Sequence, residues 1–461
     1  MVENVLDALD DGLDSSVGRL LHLLKIPSIS TDPAYADHCR AAAQWLVDDL
    51  RSIGFEASVR DTTGHPMVVA HHEGQSANAP HVLFYGHYDV QPADPLELWT
   101  SEPFKPQVEE QNGIKVISGR GSSDDKGQLM TFVEACRAYK NTMGNLPCRV
   151  TILFEGEEES GSPSLKPFLE ANAAELKADF ALVCDTNMWD LETPAISAGL
   201  RGLVGEEIVV KAADRDLHSG YFGGAAANPL HILSKALADL HADDGSVTIP
   251  DFYDGVEETP EAIKADWAGL GRTDDTILGA IGLKHPSGEN NRSVLELTWA
   301  RPTCEVNGII GGYTGEGFKT VIPAEASAKV SFRLVGKQDP DAIRENFRAF
   351  IRSCIPADCS VDFHGHGGSP AIQLPYDSPL LNTAKDALSD EWPKPAVMIG
   401  MGGSIPIVGD FQSMLGMDSL LVGFAQPDDR IHSPNEKYNL MSFHKGQRSW
   451  ARILNALATA G

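Results

Sequence analysis

Short β-rich runs alternating with helix-length amphipathic segments constrain this chain more than any other feature. Residues 67–70, 81–85, 149–154 and 180–184 read as strands, and 37–53, 127–139 and 164–176 read as helices. Strands separated by helices imply an α/β fold with a mostly parallel sheet covered by helices, because each parallel pair needs a crossover long enough to hold one. In such sheets ligands gather beyond the carboxyl ends of the strands. Three of these runs end there in groups able to bind or catalyse: His87 and Asp89, then the acidic stretch 155–159, then Asp185. Leu6, Leu9, Leu13, Leu20, Leu21 and Leu24 recur at helical spacing ahead of Pro27, so the chain is expected to open with a single amphipathic helix.

The texture changes at about Gly205. A strand at 207–211, a helix at 229–240, a long polar stretch at 243–291, a strand region at 321–334 and a helix at 341–351 read as an α+β unit, after which strand and helix alternation resumes. The simplest organisation is an α/β domain made of residues 1–204 and 373–461, interrupted by an inserted domain at 205–372.

Lys and Arg total 37 against 65 Asp and Glu, a formal net charge of −28, which works against any partner gripped through phosphates; nucleic acid is not an expected ligand. The seven cysteines are odd in number and form no C-x-x-C pair, as in a reducing compartment. The first 16 residues carry four Asp, one Glu and no Lys or Arg, the reverse of a leader peptide. No apolar run approaches the roughly 20 residues that span a bilayer. A soluble, cytoplasmic protein is expected.

Five polar clusters carry the chemistry: 86–89, 122–127, 155–162, 184–185 and 431–436. Singly, each is ordinary, since a lone His or Asp after a strand is commonly a cap. Together they supply two imidazoles and several carboxylates, a donor set that suits zinc and, with more oxygen, manganese or cobalt. Two cations sharing one carboxylate would leave a place for water and suit amide hydrolysis, with a further carboxylate to move the proton. Ser123 and Lys126 form an S-x-x-K without the S-D-N or K-T-G that accompanies it in penicillin-recognising enzymes. G-x-S-x-G and H-E-x-x-H are both absent.

The ordered motifs Tyr-Gly-His-Tyr-Asp-Val-Gln-Pro (85–92), Gly-Arg-Gly-Ser-Ser-Asp-Asp-Lys-Gly (119–127), Glu-Glu-Ser-Gly-Ser (158–162) and His-Ser-Pro-Asn-Glu (432–436) resemble those of the dinuclear-metal peptidases. That family includes carnosinase-like cytosolic dipeptidases, carboxypeptidase G, aminoacylase, and the acetylornithine and succinyl-diaminopimelate deacylases. Leu-His-Ser-Gly (217–220), Gly-Gly-Tyr-Thr-Gly-Glu-Gly (311–317) and Gly-Gly-Ser-Ile-Pro (402–406) place the resemblance nearest the dipeptidase branch.

The resemblance implies two divalent metal ions, zinc by default with manganese or cobalt as alternatives, held by His87, Asp124, Glu159, Asp185 and His432, with Asp124 bridging. Glu158 is implied as general base and acid, and Asp89 as the group that orients His87. It further implies that the inserted domain is a lid and dimerisation domain, that the partner's His218 stabilises the oxyanion across a homodimer interface, and that Arg333 clamps the substrate carboxylate. His366, Ser404 and Asn307 are implied as further substrate contacts. The expected activity is hydrolysis of dipeptides or related small amides.

One departure bears on the substrate. Carnosinase-like dipeptidases resemble one another in an Arg-Glu pair before Gly-Gly-Ser-Ile-Pro, whereas this chain has Gly400 and Met401. Without that acid a free substrate amine loses a partner. A preference for acylated or otherwise uncharged N-terminal groups, or a roomier pocket near Met401, is expected; the alternative activity is an amidohydrolase acting on N-acyl amino acids or on a specialised natural-product or xenobiotic amide. A non-catalytic scaffold, the third reading, should have lost a ligand or the base; all six positions are intact.

Overall fold

The computed structural model describes residues 2–76, 78–402 and 405–460. It divides into two compact units: Met1–Ala198 with Leu374–Met398 and Asp410–Gly461, and Gly199–Gln373 with Ile399–Gly409.

The first unit is built on a mixed sheet. Its central strands, Arg149–Glu155, His81–His87, Phe180–Val183 and Asp418–Leu421, are mutually parallel and lie side by side in that order. Antiparallel strands Met67–His72 and Glu56–Arg60 extend it on one side. Val82 and Phe84 on the central strand are fully buried, together with Leu129, Phe132 and Cys136 of the helix Lys126–Met143 and Trp450 of the C-terminal helix Leu440–Ala460. Phe84 stacks on Phe132 at 3.8 Å between ring centroids, and Trp450 meets both edge-on. Burying one such side chain stabilises the fold by about 1.5–3 kcal/mol. Glu155, His87, Val183 and Leu421, the last residue of each central strand, are buried as well.

The expected single N-terminal helix is two, Val2–Asp11 and Leu13–Leu24, parted at Gly12. Glycine is about 1 kcal/mol worse than alanine inside a helix. The break lets Leu6 and Leu9 bury with one helix and Leu20, Leu23 and Leu24 with the next, while Leu13 and Leu21 stay partly exposed. The other strands and helices read from the sequence form, with ends shifted by a few residues.

The second unit carries a four-stranded antiparallel sheet in the order Thr303–Gly311, Glu325–Leu334, Gly202–Lys211, Ser360–Ser369. Alternation along the two middle strands turns Val204, Ile208, Val210, Ala326, Ala328, Val330 and Phe332 into a core shared with helices Pro229–Ala238 and Pro340–Cys354. The region 321–334 is broken at Pro323, where a ladder N–H is missing, into Val321–Ile322 and Glu325–Leu334. The polar stretch 243–291 is less irregular than it reads, holding the short helices Glu261–Ala268 and Asp274–Gly279. Among the described residues, no helix is long and apolar enough to cross a membrane.

Candidate active site

Each central strand delivers its polar residue to the same end of the first unit. His87 is the last residue of its strand, Glu158 and Glu159 form a short 3-10 turn just past Arg149–Glu155, and Asp185 follows Phe180–Val183. Asp124 precedes the buried helix Lys126–Met143 through a cis peptide to Asp125. His432 comes from the loop after Asp418–Leu421.

These side chains form two groups that meet at Asp124. In His87, Asp124 and Asp185, and again in Asp124, Glu159 and His432, ligand atoms lie within 4.8 Å of one another. Asp124 Oδ1 is 3.0 Å from His87 Nε2, and its Oδ2 is 3.0 Å from His432 Nε2. Glu159 Oε2 is 3.2 Å from His432 Nε2, while Asp185 Oδ2 is 4.0 Å from His87 Nε2.

Asp89 supports both halves. Its Oδ1 lies 3.4 Å from His87 Nδ1, and its two oxygens accept from the backbone N–H groups of Glu158 (3.3 Å) and Glu159 (3.0 Å). One buried carboxylate thus sets the imidazole and the acidic turn together. Gln91 Nε2 donates to Glu159 Oε2 at 2.8 Å. Asp125 turns away from the cluster to accept from the His87 backbone N–H at 3.1 Å. That approach requires glycine at 86, where a Cβ would lie 2.8 Å from Asp125 Oδ2.

The site is crowded with negative charge. Burial, with Asp124 and Asp125 nearby, pushes the Asp185 carboxyl well above the usual range; burial likewise pushes Asp125 up to about 7 and raises Glu158. At Asp124 burial acts in the same direction, but hydrogen bonds from His432 and His87 outweigh it and hold this carboxyl below its ordinary value.

Arg333, His366, Asn307 and His218 belong to the second unit. Arg333 lies on Glu325–Leu334 and His366 on Ser360–Ser369, where the His366 ring is mostly exposed and 3.8 Å from Glu207. Asn307 sits at a β-bulge between Val306 and Gly308, the kind of irregularity that re-aims a side chain. Arg333 and Asn307 line a cavity of about 470 Å³ with Arg201, Glu305, Leu297 and Thr298. His218 is exposed; its Nδ1 accepts from the Gly220 N–H at 3.0 Å, which leaves the proton of the neutral ring on Nε2, and its ring lies 4.7 Å from that of Tyr221. Ser404 lies outside the described residues.

Sequence reasoning missed two residues. Arg201 shares the cavity with Arg333, donates to the Gly402 carbonyl at 3.1 Å, and is lowered to about 10 by burial and by the charge of Arg333. Glu436 ends the motif that holds His432, but nothing in the motif announces what it grips: the backbone of the loop that carries Asp124.

Residues 83–456 match the description Peptidase family M20/M25/M40, and the chain belongs to this family. It is 29% identical to the Cys-Gly metallodipeptidase of Schizosaccharomyces pombe over 99% of this chain and 98% of that one. It is 28% identical to the human Beta-Ala-His dipeptidase over 85% and 78%. An M20 family metallo-carboxypeptidase structure from Sulfolobus solfataricus superposes with a TM-score of 0.80 at 29% identity, covering 96% and 99%. The chain is accordingly an enzyme, a metallopeptidase of the dipeptidase-like type.

Proposed function

We propose that the chain hydrolyses the amide bond of dipeptides or related small amides, with two divalent cations held by His87, Asp124 and Asp185 and by Asp124, Glu159 and His432. The observation that carries this reading is Asp124, whose two carboxylate oxygens each lie 3.0 Å from a different imidazole nitrogen. The donors fit: imidazole nitrogens and carboxylate oxygens are ordinary zinc ligands, and carboxyls driven upward by burial and mutual repulsion favour a compensating positive charge. Zinc is the ion proposed, with manganese or cobalt able to replace it.

When bound, such a pair of cations polarises a carbonyl and makes a water molecule more acidic. The chain's own groups do the rest. Asp89 holds the His87 ring and the turn that presents Glu158. Glu158, which belongs to neither group of ligands, takes a proton from the attacking water and delivers it to the leaving nitrogen. Arg333 offers a planar guanidinium to the substrate carboxylate, joined by His366, with Asn307 and Ser404 as further contacts. The partner's His218 donates Nε2–H to the developing oxyanion, the proton position its Gly220 contact favours.

That last role needs a homodimer. Thr303–Gly311 is an edge strand whose Val306, Ile309 and Ile310 are 40%, 55% and 65% exposed, and exposed apolar edges of this kind are ordinarily covered. Sedimentation equilibrium should return twice the chain mass; a monomer at assay concentration removes His218 from the mechanism.

A second reading, deacylation of N-acyl amino acids, has one observation in its favour. A Cβ at Gly400 would lie 2.4 Å from Trp299 Cβ, so an aromatic side chain packs where a longer residue would stand, and no acid occurs at 400 or 401. A screen of matched free dipeptides, N-acyl dipeptides and N-acyl amino acids with the metal-supplemented protein separates the readings. Turnover of dipeptides supports the first, turnover confined to N-acyl amino acids supports the second, and no amide cleavage at all rejects both.

A further inference from the structure

The bridging carboxylate and one imidazole come from segments far apart in the chain, and one buried side chain joins them. The Glu436 carboxyl group is fully buried and accepts four hydrogen bonds. Its Oε2 accepts from Arg120 Nη1 at 2.8 Å and from the Gly121 N–H at 2.8 Å; its Oε1 accepts from the N–H groups of Ser123 at 2.9 Å and Asp124 at 3.1 Å. The Glu436 backbone carbonyl accepts in turn from the Gly119 N–H at 3.0 Å. Residues 119–124 are therefore wrapped around one carboxylate, which lies four positions beyond His432.

Beside it, Asp429 accepts from Ser123 Oγ at 2.8 Å, from the Gln426 N–H at 2.7 Å and from Lys437 Nζ at 2.9 Å. The two loops are thus tied by buried bonds on both sides. Among the described residues, Glu436 is the one that bonds the backbone N–H of Asp124 itself.

We propose that Glu436 is a positioning residue for the cation pair, fixing the peptide of Asp124 so that one oxygen faces His87 and the other faces His432. This rests on the two-cation reading above. The chemistry requires an acceptor at both oxygens: a carboxylate offers acceptors only, whereas a carboxamide must turn its NH₂ either toward Arg120 and Gly121 or toward Ser123 and Asp124, setting donor against donor. Because Asp124 belongs to both groups of ligands, its displacement weakens both cations together. Displacing Asp185, which belongs to one, does not.

The test is a zinc titration against a competing chelator on metal-stripped wild type, Glu436→Gln and Asp185→Asn, run well below the melting temperature of the metal-free proteins. There a merely structural loss leaves affinity untouched. Glu436→Gln is expected to weaken both binding constants by about 10- to 100-fold, the usual cost of losing a group that supports a metal ligand. Asp185→Asn is expected to weaken one. Wild-type affinities in folded Glu436→Gln, or loss of a single constant, would overturn the assignment. If Glu436→Gln does not fold, Glu436→Asp, which keeps the charge but draws it back from its donors, decides by the same readout. Wild type that fails to bind two ions would instead reject the two-cation reading, so the two failures are distinguishable.

Discussion

Glu158→Gln lowers kcat by about 10³-fold, inside the range set by removing a general acid and base, while both cations stay bound and KM changes little. The separation of effects follows from position. Glu158 lies outside both groups of ligands, so the amide leaves them intact. Its backbone N–H is held by Asp89 Oδ1 at 3.3 Å, a contact the substitution keeps. Burial raises its carboxyl, which moves it toward a pKa able both to take a proton from water and to return it to an amine. Steady-state kinetics with metal analysis of the same sample checks this; undiminished turnover would remove Glu158 from the mechanism.

Asp124→Asn has the second large effect, on binding as well as rate. Asp124 supplies one oxygen to each side, 3.0 Å from His87 Nε2 and 3.0 Å from His432 Nε2. An amide keeps one oxygen and replaces the other with a donor, so at least one cation loses its ligand and the pair loses a shared negative charge. Metal content after dialysis is expected to fall below one ion per chain, with turnover below detection. Two ions retained at wild-type affinity would mean that Asp124 does not bridge.

How much of this was legible in the sequence depends on distance along the chain. His87, Asp185 and the Glu158–Glu159 turn were readable because each follows a β-rich run, and the parallel strands bring those ends together. Asp89 was readable from its spacing to His87. By contrast, Arg120 and Glu436 are 316 positions apart, and no periodicity links them. Arg201 became notable only beside Arg333 in one cavity. Gly12 breaking the first helix was missed because leucine spacing outweighed one glycine, although both helices still bury their leucines. Asn307 could be named from the family resemblance, but not the bulge at which it sits.

The proposed hydrolysis requires two cations that meet at one aspartate, Asp124. Anomalous scattering from crystals of the zinc-supplemented protein measures this directly. Two peaks are expected about 3.5–4 Å apart, the spacing of two-metal hydrolase sites, with Asp124 between them, His87 and Asp185 on one and Glu159 and His432 on the other. A single peak, or peaks away from Asp124, would contradict it.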